Sequence, residues 1–382
     1  MLPFARMIQY GNAIPRVKIK DVITSYGNVF VLYTDGLLMG TGDNTLGEMG
    51  LGNRNSYRGV WATFPIQNIK HVTCSNNSTV VINTNNRVYM TGDKVILGIP
   101  TIQIDIPEDI TSLFSTFNLD EDEVLCGSRG ILVRRANGDL YAIGQGTNST
   151  GNLYGNIGLG TTTSLVFKKV GSNVAKIFTT IVGSSECSFY VTSTGDLYST
   201  GRNLYGACGL GYVGETPTFT KVSTGFDSAI KNVFASYSSS TVITVNGTVY
   251  SSGQRSLGQF GDGITTPTNT PSFTKNNVLT ITDSVQSVKS FPTSDSIFIP
   301  CSDKFYSTGQ NYYGSFSNGT KNPSTTFINT YSLNGNNFRP GGYYNYYFDD
   351  NTVYACGRYY WIPGASDDLL TFAPVPTQPR LI

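Results

Sequence analysis

The chain contains a single histidine, His71, and any Ser-His-Asp or Cys-His relay would have to be built on it. Its neighbours Lys70 and Val72 read as ordinary strand residues, which assigns His71 a structural or surface role. Paired carboxylates occur at Asp349-Asp350 and Asp367-Asp368, both in turn contexts that lend acid–base work no support. The acidic run Asp120–Glu123 lacks the alternating acids and the turn glycine of a calcium loop, so it reads as a solvated loop. Six cysteines (Cys74, Cys126, Cys187, Cys208, Cys301, Cys356) include no C-x-x-C and read as small buried residues rather than a disulfide framework or zinc site. There is no P-loop, no H-E-x-x-H and no kinase signature set. The expectation is a protein that is not an enzyme and needs neither cofactor nor metal.

Residues suited to binding are easier to find. Arg358, Tyr359, Tyr360 and Trp361 stand together, and Tyr154, Tyr205 and Tyr313 occupy one recurring loop position. Tyr, Trp and Arg are the residue types of interface anchors. These seven are the binding candidates, with protein or surface glycan as the partner class. The competing reading has each loop aromatic capping the apolar layer of its own repeat. The net charge is +1, and the basic pairs Arg134-Arg135 and Lys168-Lys169 are isolated, which argues against nucleic acid. No apolar run approaches the length of a membrane span. The opening M-L-P-F-A-R-M has none of the features of a signal peptide.

The elements that must position these residues are set by a repeat. Gly42, Gly92, Gly144, Gly201, Gly253, Gly309 and Gly357 follow one another at intervals of 48 to 57 residues. Four residues before each lies an apolar residue, and three before it lies tyrosine in six of the seven units, with Met39 in the first. Upstream comes a turn pair such as Asp35-Gly36, Asn137-Gly138 or Asn246-Gly247, the chemistry of a two-residue hairpin with both central residues at positive φ. Two further β-rich runs precede the turn and one follows the glycines, giving four short strands per unit. Only 13% of residues are charged against roughly 25% in an average domain, and 42 are glycine, which suits strands joined by tight turns. The expected fold is all-β: a closed, seven-bladed β-propeller of four-stranded antiparallel blades over residues 17–382, preceded by an arm of residues 1–16.

The phrase apolar-Tyr-x-x-Gly-x-Asn-x-x-Gly-x-x-Gly-x-Gly resembles the repeat of the regulator of chromosome condensation family. It is clearest at Leu197–Gly211 and Leu38–Gly52, with weaker copies at Val249–Gly263 and Phe305–Gly319. The resemblance implies a seven-bladed propeller, a fold that carries exchange factors, enzyme inhibitors and binding modules. Composition and the opening residues also resemble virion proteins of tailed bacteriophages. The leading expectation is therefore a structural or binding component of a virion (tail, collar or head surface) within an oligomeric assembly. The alternatives are a guanine-nucleotide exchange factor for a small GTPase and a secreted enzyme inhibitor of the same fold.

Overall fold

The computed structural model describes residues 17–99, 102–146, 157–180, 187–286, 288, 290–291, 295–331, 337–341, 343–376 and 379. The proposed arm and Tyr154 lie outside them. Seven sheets follow one another along the chain: five of four strands, one of five and one of three. The fourth unit shows the plan, with Val174–Thr180, Cys187–Thr192, Leu197–Gly201 and Thr216–Lys221 pairing antiparallel in sequence order. First strands of neighbouring units approach one another and line the axis. The result is a seven-bladed propeller in which the antiparallel strands of every blade are contiguous in sequence.

Second strands such as Asn28–Tyr33, Ser78–Asn83 and Ser239–Thr244 are buried at all six positions, because a blade is covered on both faces by its neighbours. Fourth strands are largely open to solvent, as Ser164–Gly171 is. The recurring tyrosine three before the strand-ending glycine is half-buried in five blades, including Tyr198, which stacks on Tyr190 at 4.7 Å; only Tyr250 is buried.

The hairpins differ from the two-residue turns expected. In the first blade the Tyr33 amide donates to Leu37 and the Gly36 amide to Tyr33, enclosing a three-residue loop. Only its last residue, Gly36 at φ +81°, is left-handed; Asn86, Gly138 and Gly195 repeat this. This is a tight turn followed by a one-residue bulge, which matches the strand twist as well as the primed turns do.

The strand-ending glycines have a common cause. At Gly253 φ is +106°, and a Cβ would lie 2.3 Å from the Ser238 carbonyl oxygen. That oxygen accepts the Gln254 amide at 2.9 Å, so strand 3 must pass against the turn that opens strand 2. The same bond joins Asp43 to Gly27, Asp93 to Asn77 and Gln310 to Asp295.

The later glycine cluster joins one blade to the next. Its last glycine donates to a carbonyl in the following blade's fourth strand: Gly52 to Asp105, Gly160 to Pro217, Gly211 to Pro271, Gly263 to Thr325 and Gly319 to Leu370, at 2.6 to 3.0 Å. Blades two and seven lack this phrase and substitute short 3₁₀ helices. Lys94–Leu97 buries Val95, Ile96 and Leu97 against the third blade. Tyr359–Trp361 precedes Ile362, which is buried with Val29 and Val31 of the first blade.

The seventh blade has four strands of its own, Phe338–Pro340, Tyr344–Phe348, Val353–Gly357 and Leu369–Pro374. Among the described residues, closure therefore uses no exchanged strand. The seam is held by Ile19 amide to Asp350 carbonyl (2.8 Å), Thr24 hydroxyl to Pro340 carbonyl (2.7 Å), Tyr344 hydroxyl to Ser25 carbonyl (2.6 Å) and the Asp21–Arg339 ion pair (2.7 Å). The sixth blade departs from the plan: its first run makes one bridge, Val285 to Cys301, and then Ser290–Phe291 pairs parallel with Thr179–Thr180 of blade four. The sequence continues into Pro292, which has no N–H for a ladder.

Candidate protein-binding face

Because adjacent strands are antiparallel, the loop after strand 3 and the turn before strand 2 emerge at the same end of each blade. One face of the ring therefore carries the loop that follows strand 3 in every blade. On it, Tyr313 of blade six meets Tyr343 of blade seven edge-on, with ring centroids 5.4 Å apart. The Arg358 guanidinium lies 4.7 Å from the Tyr313 ring centre and 5.6 Å from that of Tyr360. From the other side Arg58 of blade one covers Tyr360 at 4.1 Å while pairing with Asp43. The Tyr359 amide donates to Asp368 Oδ1 at 3.0 Å, and Lys321 of blade six pairs with the other oxygen at 2.6 Å. Side chains from blades six, seven and one are thus locked into a single aromatic and cationic patch. Tyr359 and Tyr360 remain 44% and 41% exposed, and Tyr312, next to Tyr313 in the chain, is 52% exposed.

Of the sequence candidates, Arg358, Tyr359, Tyr360 and Tyr313 converge here. Tyr205 stands on the same face further round, 6.4 Å from Tyr237 of the next blade. Trp361 closes the short helix, and its side chain, like Tyr154, lies outside the described residues. Tyr205 and Tyr313 each reach a tyrosine in the next blade's turn. Sequence reading passed over Tyr26, Tyr237 and Arg58. A usable signal existed for two of them, since Tyr26 and Tyr237 each stand sixteen residues before a strand-ending glycine. Burial pushes the Tyr343 hydroxyl upward in pKa, with the charges of Asp295, Tyr26, Tyr313 and Tyr237 adding to it.

Asp295 lies in the turn that opens the second strand of blade six, against Ser238 of blade five. The Ser238 hydroxyl donates to it at 2.6 Å and the Gln310 amide at 3.4 Å, yet burial outweighs these bonds and raises its pKa. A raised carboxyl stabilises the fold only in its protonated form, below its unfolded pKa, and that contribution is lost as pH rises through the folded value. Asp295→Asn is therefore expected to be the more stable protein at pH 7, with the difference narrowing toward pH 4.5. Urea unfolding at the two pH values checks this; a constant difference would contradict it.

The remaining chemistry-bearing residues are engaged structurally. His71 sits in the axial channel, its Nε2 3.0 Å from the Val124 carbonyl, beside a cavity of about 200 Å³ that Asp21 and Arg339 also line. Asp122 accepts the Asn118 and Ala136 amides, and Glu123 pairs with Arg134 at 3.0 Å. Asp349 caps Asn351 and Thr352, while Asp350 pairs with Lys18 at 2.6 Å. Among the described residues no cluster of His, Cys, Asp or Glu is arranged to hold a metal ion, and no helix is long and apolar enough to cross a membrane.

No protein-family model matches the chain. Among curated proteins it is 33% identical over 112 residues to the secretion-regulating guanine nucleotide exchange factor of Bos taurus. That stretch is 29% of this chain and 24% of the relative, so the match spans about a quarter of the relative's length. Among solved structures, human WBSCR16 superposes with a TM-score of 0.67 at 17% identity, over 90% of this chain and 94% of that one. Prp20p from Saccharomyces cerevisiae, described with its binding to Gsp1p and histones, superposes with a TM-score of 0.62 at 18% identity, over 81% and 76%. Prp20 is the yeast RCC1 and has also been solved bound to Kap60. The expected likeness to phage virion proteins has no support in these comparisons, nor do the glycan partner and the virion location built on it. The chain is a seven-bladed propeller similar in fold to yeast RCC1 and to human WBSCR16.

Proposed function

We propose that this chain is a protein-binding propeller whose loop face docks a small GTPase and promotes release of its guanine nucleotide. The observation that carries the reading is the Tyr313–Arg358–Tyr360–Arg58 lattice, which presents Tyr360 and the adjoining Tyr359 as half-exposed anchors. Anchors already fixed by their neighbours lose little freedom on docking, and arginine over tyrosine keeps a cation at the rim. The local identity with a guanine nucleotide exchange factor supports the partner class. Exchange requires no bond-making group on the propeller. It requires only tighter binding to the nucleotide-free GTPase than to the loaded one, and by linkage that preference weakens nucleotide binding to the same degree.

The test is release of fluorescent GDP from a panel of preloaded small GTPases, with the propeller in substoichiometric amount. Accelerated release from at least one member is expected, and Tyr359→Ala should reduce that acceleration about tenfold, an effect of the size of an interface anchor. Its thermal midpoint should fall only slightly, because the residue is already 44% exposed in the folded protein. A panel that shows no acceleration at any concentration rejects the reading.

A further inference from the structure

The fourth blade carries a chemical feature that its six siblings lack. We propose that Cys187 and Cys208 form an intrachain disulfide that staples the long loop of this blade to the start of its second strand. Their Sγ atoms lie 2.7 Å apart with nothing between them, and both residues are buried, at 1% and 0% exposed. A disulfide sets the two sulfurs about 2.05 Å apart, so bonding requires an approach of well under an ångström from side chains already facing each other.

Comparison between blades separates this pair from chance proximity. Cys187 stands opposite the strand-ending Gly201, a position held by Asn28, Ser78, Gly130, Ser239, Ser296 and Tyr344 in the other blades. Cys208 takes the place of Met49, Ile157, Phe260 and Phe316, each a bulky side chain buried beneath its glycine cluster. Only the fourth blade has given up that bulk, and it has done so with cysteine at both positions. Loss of a large core side chain there removes the plug under the loop, and a covalent bond restores the tie. The loop is otherwise held as in its siblings: Asn203 accepts the Cys208 amide at 2.9 Å and donates to the Tyr212 carbonyl at 2.9 Å. The backbone frame that positions Cys208 is therefore present before any sulfur chemistry occurs.

The step balances with a small-molecule disulfide such as oxidised glutathione as the oxidant. One cysteine thiolate attacks a sulfur of the oxidant, expelling one small thiolate and leaving a mixed disulfide on the protein. The second cysteine attacks the protein sulfur of that mixed disulfide and expels the other small thiolate. Two protein thiols are oxidised, one small disulfide is reduced to two thiols, and the protons pass to the released thiolates. In the closed blade burial holds the Cys208 thiol in its protonated form. The reaction therefore belongs to folding or to local opening, after which the bond is shielded.

The experiment is a thiol count and cross-link map of the full chain, refolded in a glutathione redox buffer, acid-quenched, and alkylated in denaturant without reductant. Four alkylated cysteines are expected, with a non-reduced peptide pair joining Cys187 to Cys208. The thermal midpoint of the oxidised protein should stand about 3 °C or more above that of the dithiothreitol-treated protein, a shift that Cys187→Ser abolishes. Six alkylated cysteines, or a link between any other pair such as Cys74 and Cys126, overturns the proposal. The wild-type map decides the question even if the serine variant fails to fold.

Discussion

Alanine at Gly42 is expected to destabilise the propeller by about 3–4 kcal/mol, one of the largest losses available from adding a single methyl group. Gly42 ends the third strand of blade one at φ +123°, where an L-residue is strained. Its Cβ would stand 2.1 Å from the Gly27 carbonyl oxygen and 2.9 Å from Asn28 Cα. Neither wall can retreat. The Gly27 oxygen accepts the Asp43 amide at 2.9 Å, and Asn28 is laddered directly opposite Gly42. Left-handed backbone accounts for about 1–2 kcal/mol and crowding against main chain for the rest. Gly52→Ala separates the two effects: φ is +72°, but the nearest atom to a Cβ, on Ile106, is 3.9 Å away. Urea unfolding of both variants checks the assignment. Equal losses at the two sites would remove crowding as the cause.

Tyr344→Ala is expected to cost about 3–5 kcal/mol, the range for deleting a buried aromatic side chain. Tyr344 is 1% exposed at the seam between blades seven and one, packed edge-on against Tyr346 at 5.7 Å. Its hydroxyl reaches across the seam to the Ser25 carbonyl, itself in a fully buried residue. Tyr344→Phe keeps the ring and strands that carbonyl, so it should cost about 1–3 kcal/mol. The two variants together apportion ring closure between packing and one hydrogen bond. If Tyr344→Ala unfolds at the wild-type urea midpoint, the seam is not what holds the circle shut.

The blades were legible because their constraints are local. A glycine that must pass a carbonyl at van der Waals contact, an Asn that must cap its own loop and a run with both faces buried each leave a fixed residue at a fixed offset. Asn44, Asn203 and Asn311 illustrate this: each accepts an amide five residues on and donates to a carbonyl nine residues on. The hairpin type was misjudged because Asp-Gly and Asn-Gly serve both a two-residue turn and a turn with a bulge, and only the strand register chooses between them. The face was partly legible. Arg358–Tyr360 and Tyr313 were singled out by residue type, but their convergence depends on which loop reaches which neighbouring blade. Arg58 is some three hundred residues from Tyr360 in the chain, and no periodicity relates the two. The departure of Ser290–Phe291 toward blade four likewise depends on a contact that its own repeat does not encode.

The contiguity of every blade has a consequence for the order in which the molecule assembles. Apart from the Ser290–Phe291 pairing on blade four, each sheet draws its strands from a segment of roughly fifty residues, so blade formation needs only short loops to close, at modest entropic cost. The joints between successive blades are nearly as local. The seam is different in kind: Tyr344 and Ser25 are 319 residues apart, Thr24 and Pro340 are 316 apart. A chain of formed blades can therefore exist as an open arc before its ends meet. In that arc Val29, Val31, Tyr346 and Ile362 are in water, and they can as well meet the free edge of another arc as their own. Ring closure is then a competition between an intramolecular and an intermolecular encounter of the same two surfaces, and dilution during refolding decides which one wins.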